Sequence, residues 1–419
     1  MEIIADLHIH SKHSQATGKE LDLTNLEKWA KVKGVDLLGT GDFTHPKWIE
    51  EIKGKLSEDG NGILKTAYGF PFILQTEISL IYTDMGKGRK IHNIVYAPDL
   101  DAASKITSYL LTKGRVDYDG RPIFGIPCDE FVESLKAIDS RIEIVPAHIW
   151  TPWFSLFGAN SGYDKIKDCF KDMTKHIFAL ETGLSSDPAM NWRLSALDKY
   201  TLISNSDLHS YWPWRIGREA NVFELKELRF DSVIKAIKTK AGFKETIEVD
   251  PAFGKYHWTG HRNCDINLSP KEALKHHNVC PKCGKNLTVG VEQRVEELAD
   301  REEGYVLKEG VGFKRMIPLS DILSIVLKKA VATKTVWAEY NKLVSSGRSE
   351  YDVMRKVSFE GLRKLTDEKT AEAIIKNREG RITVKPGYDG VYGEPLLSEA
   401  EIEEKEKFKP KQRGLGEFF

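Results

Sequence analysis

The chain has 419 residues, a formal net charge of zero, 41% hydrophobic residues and 30% charged residues. This length exceeds that of one small domain, so we expect one large domain with smaller modules. The balanced charge excludes bulk attraction to nucleic acid, and no apolar run reaches the length of about eighteen residues that a membrane span needs. The first residues lack a signal-peptide pattern, so we expect a soluble intracellular protein. Many charges with only four glutamines are typical of a thermophile.

Short β-branched runs alternate with helical stretches up to about residue 210, which predicts βα units around a parallel sheet. The first helix is expected to begin at Thr24, with Glu27 completing a capping box, and to end before Gly34. Seven strands favour a barrel, which we expect to span residues 1–248. The expected strands are Ile3–Ile9, Asp36–Thr40, Phe72–Ser79, Lys90–Tyr96, Glu143–Ala147, Ile177–Glu181 and Thr201–Asn205.

Metal-binding residue types recur at the ends of these strands. His8 and His10 follow the first strand with the spacing that places alternate strand residues on one face, and Asp207 and His209 repeat this spacing after the seventh. Active sites of βα barrels lie at the carboxyl ends of the strands. Ordinary packing would have to be invoked separately at each strand, so we predict one metal cluster, and imidazole with carboxylate suits Zn, Mn or Fe. The residues, in strand order, are His8 and His10, Asp42, Glu77, His92, His148, Glu181, and Asp207 with His209.

Six motifs, DLHIHS, TGDFTH, TEIS, IHNIVYAP, PAH and NSDLHS, resemble the successive metal motifs of the polymerase-and-histidinol-phosphatase (PHP) family. This resemblance implies an α/β fold, a distorted seven-stranded βα barrel, with two or three divalent ions (Zn, Mn or Mg) that hydrolyses phosphate esters. It implies that one ion is held by four catalytic residues, His8, His10, Glu77 and Asp207. Glu77 would bridge to a second ion at His92 and His148.

The resemblance also implies a third site that includes His209. Phe43 stands where the family pattern has a histidine, and His45 follows two residues later. The remaining ligands of that site are therefore open among Asp42, His45 and His13.

Aromatic and polar stretches directly after the expected ligands are candidates for substrate contact. Aromatic rings can stack an extruded base, and arginine can clamp phosphate. Core packing around the barrel mouth explains each tryptophan equally well, but it explains the arginines less well. The candidates are Trp150, Trp153, Glu181, Ser185, Asn191, Arg193, Trp212, Arg215 and Arg218.

Residues 249–292 have the composition of a small metal module. His261 and Cys264 precede the pair Cys280 and Cys283, which gives a Cys3His set of the tetrahedral structural zinc type. His257 and His277 lie within reach as alternatives to His261. The other two cysteines, Cys128 and Cys169, have no such neighbours and are interpreted as core thiols.

The last third of the chain is predicted to be helical and then flexible. Residues 293–400 show apolar residues at helical spacing with interleaved Lys and Arg, which favours a helical domain that contacts DNA or presents a solvated basic face. Residues 401–419 begin with a mixed charge run, which predicts a flexible tail. This tail matches the sliding-clamp interaction peptide, or PIP box, QxxLxxFF, so we expect a clamp partner. The matching residues are Gln412, Leu415, Phe418 and Phe419.

Three classes of function remain: a DNA-repair endonuclease, a PHP-type small-molecule phosphatase, and a non-catalytic clamp-associated DNA-binding scaffold. A phosphatase leaves the zinc module, helices and clamp peptide unexplained, and a scaffold needs no complete ligand set. The domain order resembles that of PHP-family DNA-repair endonucleases. The resemblance implies hydrolysis by metal-activated water on the 5′ side of deaminated bases (uracil, hypoxanthine, xanthine) and at abasic sites. We therefore expect damaged DNA as substrate, no membrane partner, and a nucleoid-associated cytoplasmic location.

Overall fold

The computed structural model describes residues 1–396, so the four residues of the expected clamp peptide lie outside the described residues. The strands, in chain order, are β1 Glu2–Asp6, β2 Leu37–Gly39, β3 Leu56–Glu58, β4 Ile63–Thr66, β5 Pro71–Ile73, β6 Gln75–Asp84, β7 Lys87–Tyr96, β8 Ile123–Phe124, β9 Glu143–Pro146, β10 Ala179–Glu181, β11 Thr201–Ile203, β12 Ala220–Glu224, β13 Phe243–Glu248, β14 Thr259–His261, β15 Ile266–Leu268, β16 Gly312–Arg315, β17 Thr383–Lys385 and β18 Glu394–Leu396. The helices are α1 Leu23–Lys33, α2 Pro46–Lys55, α3 Leu100–Leu111, α4 Cys128–Ile138, α5 Ile166–Phe170, α6 Pro188–Asn191, α7 Phe230–Thr239, α8 Pro270–Lys275, α9 Val291–Leu298, α10 Leu319–Leu327, α11 Lys334–Leu343, α12 Glu350–Arg355, α13 Phe359–Arg363 and α14 Glu368–Arg378.

All seven predicted strands are present, and the third is divided into β5 and β6 around Leu74. Their apolar side chains meet in one buried cluster, so the strands enclose a common core. The hydrogen bonding is nevertheless divided into separate sheets: one of eight strands in the order β16-β13-β12-β1-β2-β5-β4-β3, one of four in the order β8-β6-β7-β9, and the pair β10-β11. A parallel bridge between Ile9 and Leu208 joins the first and last predicted strands just beyond their ends. A single closed seven-stranded ladder is therefore not observed in residues 1–396.

The predicted parallel direction is correct for β1, β2 and β5 and for β10 and β11, but it is wrong for β7. β7 runs antiparallel to both β6 and β9. The cause is local, because β6 and β7 are joined by Met85 and Gly86, which have φ angles of 52° and 72°. Positive φ at both central residues is the requirement of a two-residue hairpin turn, and such a turn joins only antiparallel strands.

Helix α1 begins one residue earlier than predicted, because Asp22 and not Thr24 caps it. The Asp22 side chain accepts a hydrogen bond from the Asn25 amide at 2.9 Å. Gly34 ends the helix as predicted, with a φ of 91° that favours glycine. The helix buries Leu23, Leu26 and Ala30 in a second hydrophobic cluster, which is separate from the one enclosed by the strands.

The helical region is not independent of the barrel sheet. Its strand β16 pairs in parallel with β13 and so extends the eight-stranded sheet. The loop between β17 and β18 packs on residues 252–255, where Gly387 donates to the Ala252 carbonyl at 2.8 Å. Among residues 1–396, no helix combines the length and apolar character needed to cross a membrane.

Candidate metal centre and active site

His8 and His10 follow β1, and carboxylates on other elements fix both imidazole rings. His8 Nδ1 lies 3.0 Å from Glu181 Oε1, and His10 Nδ1 lies 3.0 Å from Asp42 Oδ1. All four side chains are buried. A carboxylate on Nδ1 leaves Nε2 as the free ring nitrogen, which is the usual outer-shell arrangement of a metal-bound histidine.

The Nε2 atoms of both histidines face two further carboxylates. His10 Nε2 is 3.0 Å from Asp207 Oδ1 and 3.2 Å from Glu77 Oε2. His8 Nε2 is 3.6 Å from Glu77 Oε2 and 3.8 Å from Asp207 Oδ1. The four residues therefore offer one ligand atom each around a single point.

The other oxygen of Glu77 faces a second group. Glu77 Oε1 lies 2.7 Å from His92 Nδ1 and 3.0 Å from His148 Nε2. The two imidazole nitrogens are 3.3 Å apart. Glu77 thus stands between two ligand groups with one oxygen turned to each.

Two properties of these residues suit divalent ions: buried ligand atoms without a hydrogen-bond partner, and an excess of negative charge from the carboxylates. His8 Nε2, His10 Nε2 and Asp207 Oδ1 are buried, and none makes a hydrogen bond within residues 1–396. Burial would lower the pKa of His8, but the carboxylates of Glu181 and Glu77 outweigh it and raise this pKa well above its usual value. Burial likewise opposes ionisation of Asp207, yet His10, His209 and His8 hold its pKa below the usual range. Such a pocket favours positive charge at its centre, and nitrogen with oxygen ligands suits a divalent metal.

Backbone strain and a buried carboxylate position the ligands. Asp42, His148 and Asp207 have positive φ angles of 43°, 32° and 46°, which residues other than glycine adopt rarely. The buried Asp6 carboxylate accepts the amide hydrogens of Ser206 at 3.0 Å and Gly217 at 2.9 Å. Asp6 therefore closes the base of the loop that carries Asp207 and His209.

The candidates for the third metal site do not gather into a ligand group in the described structure. Asp42 is occupied by His10, and its Oδ2 accepts hydrogen bonds from the Ser11 amide at 2.6 Å and the Ser14 hydroxyl at 2.9 Å. The His45 ring stacks on His13 with centroids 4.2 Å apart. His209 lies beside His10, with ring centroids 4.7 Å apart, and its Nδ1 is 3.0 Å from the Asp207 carbonyl.

Several residues predicted to contact substrate are buried or already form hydrogen bonds with other groups of the protein. Trp150 is buried, and its indole N–H donates to Asn191 Oδ1 at 2.8 Å. Glu181 holds His8 and also accepts the His148 amide at 2.8 Å. Arg193 donates to Glu296 on α9 at 2.7 Å, and Ser185 is buried.

The other substrate candidates lie closer to solvent. Trp153 is 39% exposed, and its ring forms a T-shaped contact with Tyr256, with ring centroids 5.7 Å apart. Trp212 stacks on Trp214 at 5.4 Å within a group of rings that includes Trp337 of α11. Arg215 and Arg218 follow on the same loop and are partly exposed, and Arg218 donates through Nε and Nη2 to the Ser206 carbonyl at 3.1 Å and 2.8 Å.

Sequence reasoning missed Arg121, which reaches the centre from the loop before β8. Its Nη1 donates to Glu77 Oε2 at 3.2 Å. Burial would lower the pKa of the guanidinium, but Glu77 and Asp207 raise it, so Arg121 stays charged. Gly120 allows this approach, because a Cβ there would lie 2.3 Å from Asp42 Oδ2. Arg121 belongs to none of the metal motifs, and only the adjacent Asp-Gly turn marks this loop in the sequence.

The four predicted zinc ligands of the cysteine-rich module lie close together. His261, Cys264, Cys280 and Cys283 bring their ligand atoms within 4.8 Å of one another. His261 Nδ1 is 3.4 Å from Cys283 Sγ, whereas the alternative ligand His257 instead faces Glu292, with 3.5 Å between Nε2 and Oε2. The arrangement has the tetrahedral donor set of structural zinc.

Comparison with known proteins identifies the family. Residues 318–381 match the family profile described as the MJ0043 C-terminal domain. The uncharacterised protein MJ0043 of Methanocaldococcus jannaschii is 30% identical over 336 residues, which are 78% of this chain and 39% of that longer protein. The crystal structure of the lesion-specific endonuclease PfuEndoQ from Pyrococcus furiosus superposes with a TM-score of 0.85 at 32% identity, over 98% of this chain and 100% of that one.

A second solved structure, endonuclease Q with a 27-mer duplex that has an abasic lesion at the active site, gives a TM-score of 0.86 at 33% identity over 96% and 98% of the two chains. The chain belongs to the endonuclease Q family. Family membership makes it a nuclease, a metal-dependent phosphodiesterase. The predicted resemblance to a family of DNA-repair endonucleases is thereby confirmed, and the two ligand groups described above lie in the endonuclease Q fold.

Proposed function

We propose that the chain is a DNA-repair endonuclease that hydrolyses the phosphodiester on the 5′ side of uracil, hypoxanthine and xanthine and at abasic sites. The observation that carries the proposal is the position of Glu77 between two ligand groups, in a chain that matches endonuclease Q over 98% of its length. The abasic lesion at the active site of the related complex supports the substrate class.

Two divalent ions, Zn, Mn or Mg, are the proposed cofactors of the barrel. His8, His10, Glu77 and Asp207 would hold one of them, and Glu77, His92 and His148 the other. When bound, adjacent divalent ions lower the pKa of water and neutralise charge on a phosphoryl group.

Side chains around the proposed metal sites orient the metal ligands and offer a positive charge to the substrate. Glu181 and Asp42 keep the Nε2 atoms of His8 and His10 directed at the centre. Arg121 lies beside Glu77 and is 24% exposed, so its remaining donors are available to a phosphoryl oxygen as charge develops there. Hydrolysis breaks the bond between phosphorus and the 3′ oxygen, which leaves a 3′-hydroxyl and a 5′-phosphate.

Damaged bases are favoured substrates because their weakened pairing lowers the cost of turning the nucleotide out of the duplex, typically a few kcal/mol. Trp153 has an exposed ring on the loop that follows His148. We assign it to stacking on the extruded nucleotide or its neighbour.

The test is a nicking assay with labelled duplexes that contain one uracil, one hypoxanthine or no lesion, together with a sugar-phosphate monoester, in the presence of Mg, Mn or Zn. We expect incision of the lesion duplexes alone. Asp207→Asn should reduce nicking by at least a hundredfold, whereas Asp101→Asn, at an exposed carboxylate on α3, should leave it unchanged.

Phosphate release from the monoester without duplex incision would instead identify a small-molecule phosphatase. No hydrolysis of either substrate would identify a DNA-binding scaffold. Equal nicking by wild-type protein and Asp207→Asn would refute the assignment of the catalytic group.

We also propose that the peptide with Gln412, Leu415, Phe418 and Phe419 binds a sliding clamp, on the support of its sequence alone. Peptides of this kind bind by inserting apolar side chains into a hydrophobic groove of the partner. Replacing Leu415 and Phe418 by Ala should abolish binding to the clamp in a pulldown and leave nicking of free duplexes unchanged. Clamp binding that survives this change would exclude the peptide.

A further inference from the structure

Three cationic side chains gather around Tyr392 beside the active-site loop. The Arg215 guanidinium lies 5.8 Å from the centre of the Tyr392 ring, and Lys255 Nζ lies 4.7 Å from it. Arg218 is on the same loop as Arg215 and donates through Nη2 to the Ser206 carbonyl at 2.8 Å. We refer to Arg215, Arg218, Lys255 and Tyr392 as the cation cluster.

The cluster is assembled from three separate parts of the chain. Arg215 and Arg218 lie near the end of the loop that carries Asp207 and His209. Lys255 follows β13, and Tyr392 precedes β18. Backbone hydrogen bonds join the last two parts, because Gly390 donates to the Lys255 carbonyl at 2.9 Å and Gly393 to the Phe253 carbonyl at 3.1 Å. The arrangement therefore depends on the fold and not on a local run of basic residues.

These cations have no counter-ion in the described part of the chain. Within residues 1–396, no carboxylate forms an ion pair with Arg215, Arg218 or Lys255, whereas many other arginines do form one. Two carboxyls, Glu219 and Asp321, interact electrostatically with the arginines, but neither forms an ion pair with Arg215 or Arg218 in residues 1–396. Burial raises the pKa of Asp321 to about 7 and that of Glu219 well above its usual value.

The positive charge of the cluster also affects the pKa of Tyr392. Burial alone would raise the pKa of its phenol, but Arg215, Arg218 and Lys255 outweigh this effect and lower it. Like charges this close destabilise one another unless an anion joins them. The side open to such a ligand is formed by Tyr392, which is 39% exposed, and by the exposed Lys255. Arg218 adds its charge from the protein side, because its Nε and Nη2 both donate to the Ser206 carbonyl.

The cluster is held at a fixed position relative to the metal ligands. Ser206, whose carbonyl binds Arg218, directly precedes Asp207. Asp6 binds the amides of both Ser206 and Gly217, which ties the two ends of the intervening loop together. An anion on the cluster would therefore lie at a set distance from the phosphate that is cut.

We propose that the cation cluster binds a backbone phosphate of the DNA strand next to the scissile phosphate, an inference that rests on the proposed function. An arginine fork, a lysine ammonium and a phenol hydroxyl together match the oxygens of one phosphodiester. By holding a neighbouring phosphate, the cluster sets the register of the strand in the site and does not read the base.

The experiment measures binding of a uracil-containing duplex by fluorescence anisotropy over a series of salt concentrations. All proteins carry Asp207→Asn so that the duplex is not cut during the measurement. The test variants are Lys255→Gln, at an exposed side chain that does not endanger folding, and the double variant Arg215→Gln with Lys255→Gln. Arg141→Gln is the matched control, because Arg141 is an exposed arginine before β9, at the end of the strand opposite His148.

We expect Lys255→Gln to weaken binding about threefold and the double variant at least tenfold, with Arg141→Gln unchanged. The slope of log affinity against log salt should decrease by about 0.9 for the one phosphate contact that the double variant loses. A double variant with the affinity and salt slope of the control would refute the cluster as a phosphate site.

Nicking of the same duplex by otherwise wild-type protein is scored separately. If wild-type protein nicks the duplex and the double variant still binds it like the control, only the cluster assignment fails. If wild-type protein neither nicks nor binds the duplex, the proposed function fails and the cluster assignment fails with it.

Discussion

Gly183 shows how a residue without a side chain positions a metal ligand. It follows Glu181 by two residues, and its φ is 64°. A Cβ at this position would lie 2.5 Å from the Cβ of His148, which is closer than such atoms approach one another. The backbone of the loop after β10 therefore presses directly on the histidine of the second ligand group.

The first prediction concerns this contact. Gly183→Ala should displace His148 and reduce nicking by at least tenfold, while Gly69→Ala should not. Gly69 is the matched control because its φ of 80° gives the same backbone strain, but a Cβ there meets nothing within 4 Å. Steady-state nicking and thermal melting of both variants separate the two effects. Equal activity in the two variants would show that the contact with His148 is unimportant.

The ionisation of Glu248 makes the stability of the folded protein depend on pH. Its carboxyl is buried at the end of β13, and the Ser204 hydroxyl lies within hydrogen-bond distance of both Glu248, at 2.9 Å, and Glu219, at 3.1 Å. Burial raises the pKa of Glu248 to about 8, well above that of a carboxyl in the unfolded chain. Between these two pKa values the folded protein keeps a proton that the unfolded chain has lost, so stability falls as the pH rises.

The second prediction concerns this decrease of stability with rising pH. The free energy of unfolding of the wild-type protein should fall between pH 5 and pH 8, by roughly 1.4 kcal/mol for each unit that separates the two pKa values. In Glu248→Gln the fall should be smaller, because this proton is no longer exchanged. Urea denaturation at several pH values measures the difference. A parallel fall in both proteins would place the titration elsewhere.

At the scale of elements, helix α1 connects the barrel to the helical region through a buried ion pair. Lys33 Nζ lies 2.6 Å from Glu350 Oε1 of α12 and donates to the Pro213 carbonyl at 2.9 Å. Glu350 also accepts the Tyr340 hydroxyl at 2.8 Å. Both charged side chains are only 2% exposed, so each depends on the other for compensation.

The third prediction uses two lysines of the same helix. Lys33→Met should lower the free energy of unfolding by about 3–5 kcal/mol, because it leaves the Glu350 carboxylate buried without its partner. Lys31→Met removes the pair between the half-exposed Lys31 and Glu27, which is 10% exposed, and should cost less than about 1 kcal/mol. Denaturant unfolding of both variants checks the contrast. Similar losses would mean that the buried pair contributes no more than the surface one.

At the scale of the whole molecule, the proposed zinc module supports the loop that carries Tyr392. The Arg262 amide and the Thr288 hydroxyl both donate to Asp389, at 2.8 Å and 2.7 Å. The Tyr388 hydroxyl donates to Asp265 at 2.7 Å. The module therefore orders a segment more than a hundred residues away in the sequence, beside the cation cluster.

The fourth prediction tests this module and its fourth ligand. His261→Ala should remove one equivalent of zinc, lower the melting temperature and weaken binding of the uracil duplex, because the loop of Tyr392 loses its support. His277→Ala, at the alternative histidine that does not join the ligand group, should keep the zinc. Elemental analysis and melting curves give the readout. Retention of zinc in His261→Ala would exclude it as the ligand.

The sequence by itself determined the residues of the two proposed metal sites and the seven strands that precede or carry the barrel ligands. It could do so because strand periodicity and ligand spacing are local properties, which short motifs record. It did not indicate that Glu181 and Asp42 orient histidines, or that Trp150 is enclosed in the core, because a residue type does not specify its neighbours.

Only the tertiary structure decided the direction of β7, the approach of Arg121 to Glu77, and the gathering of Arg215, Lys255 and Tyr392. The first depends on the conformation of a two-residue turn, and the others join segments that are far apart in the chain. Such contacts depend on how the complete set of elements packs, since burial and close approach of charges are properties of the assembled fold and not of any local pattern.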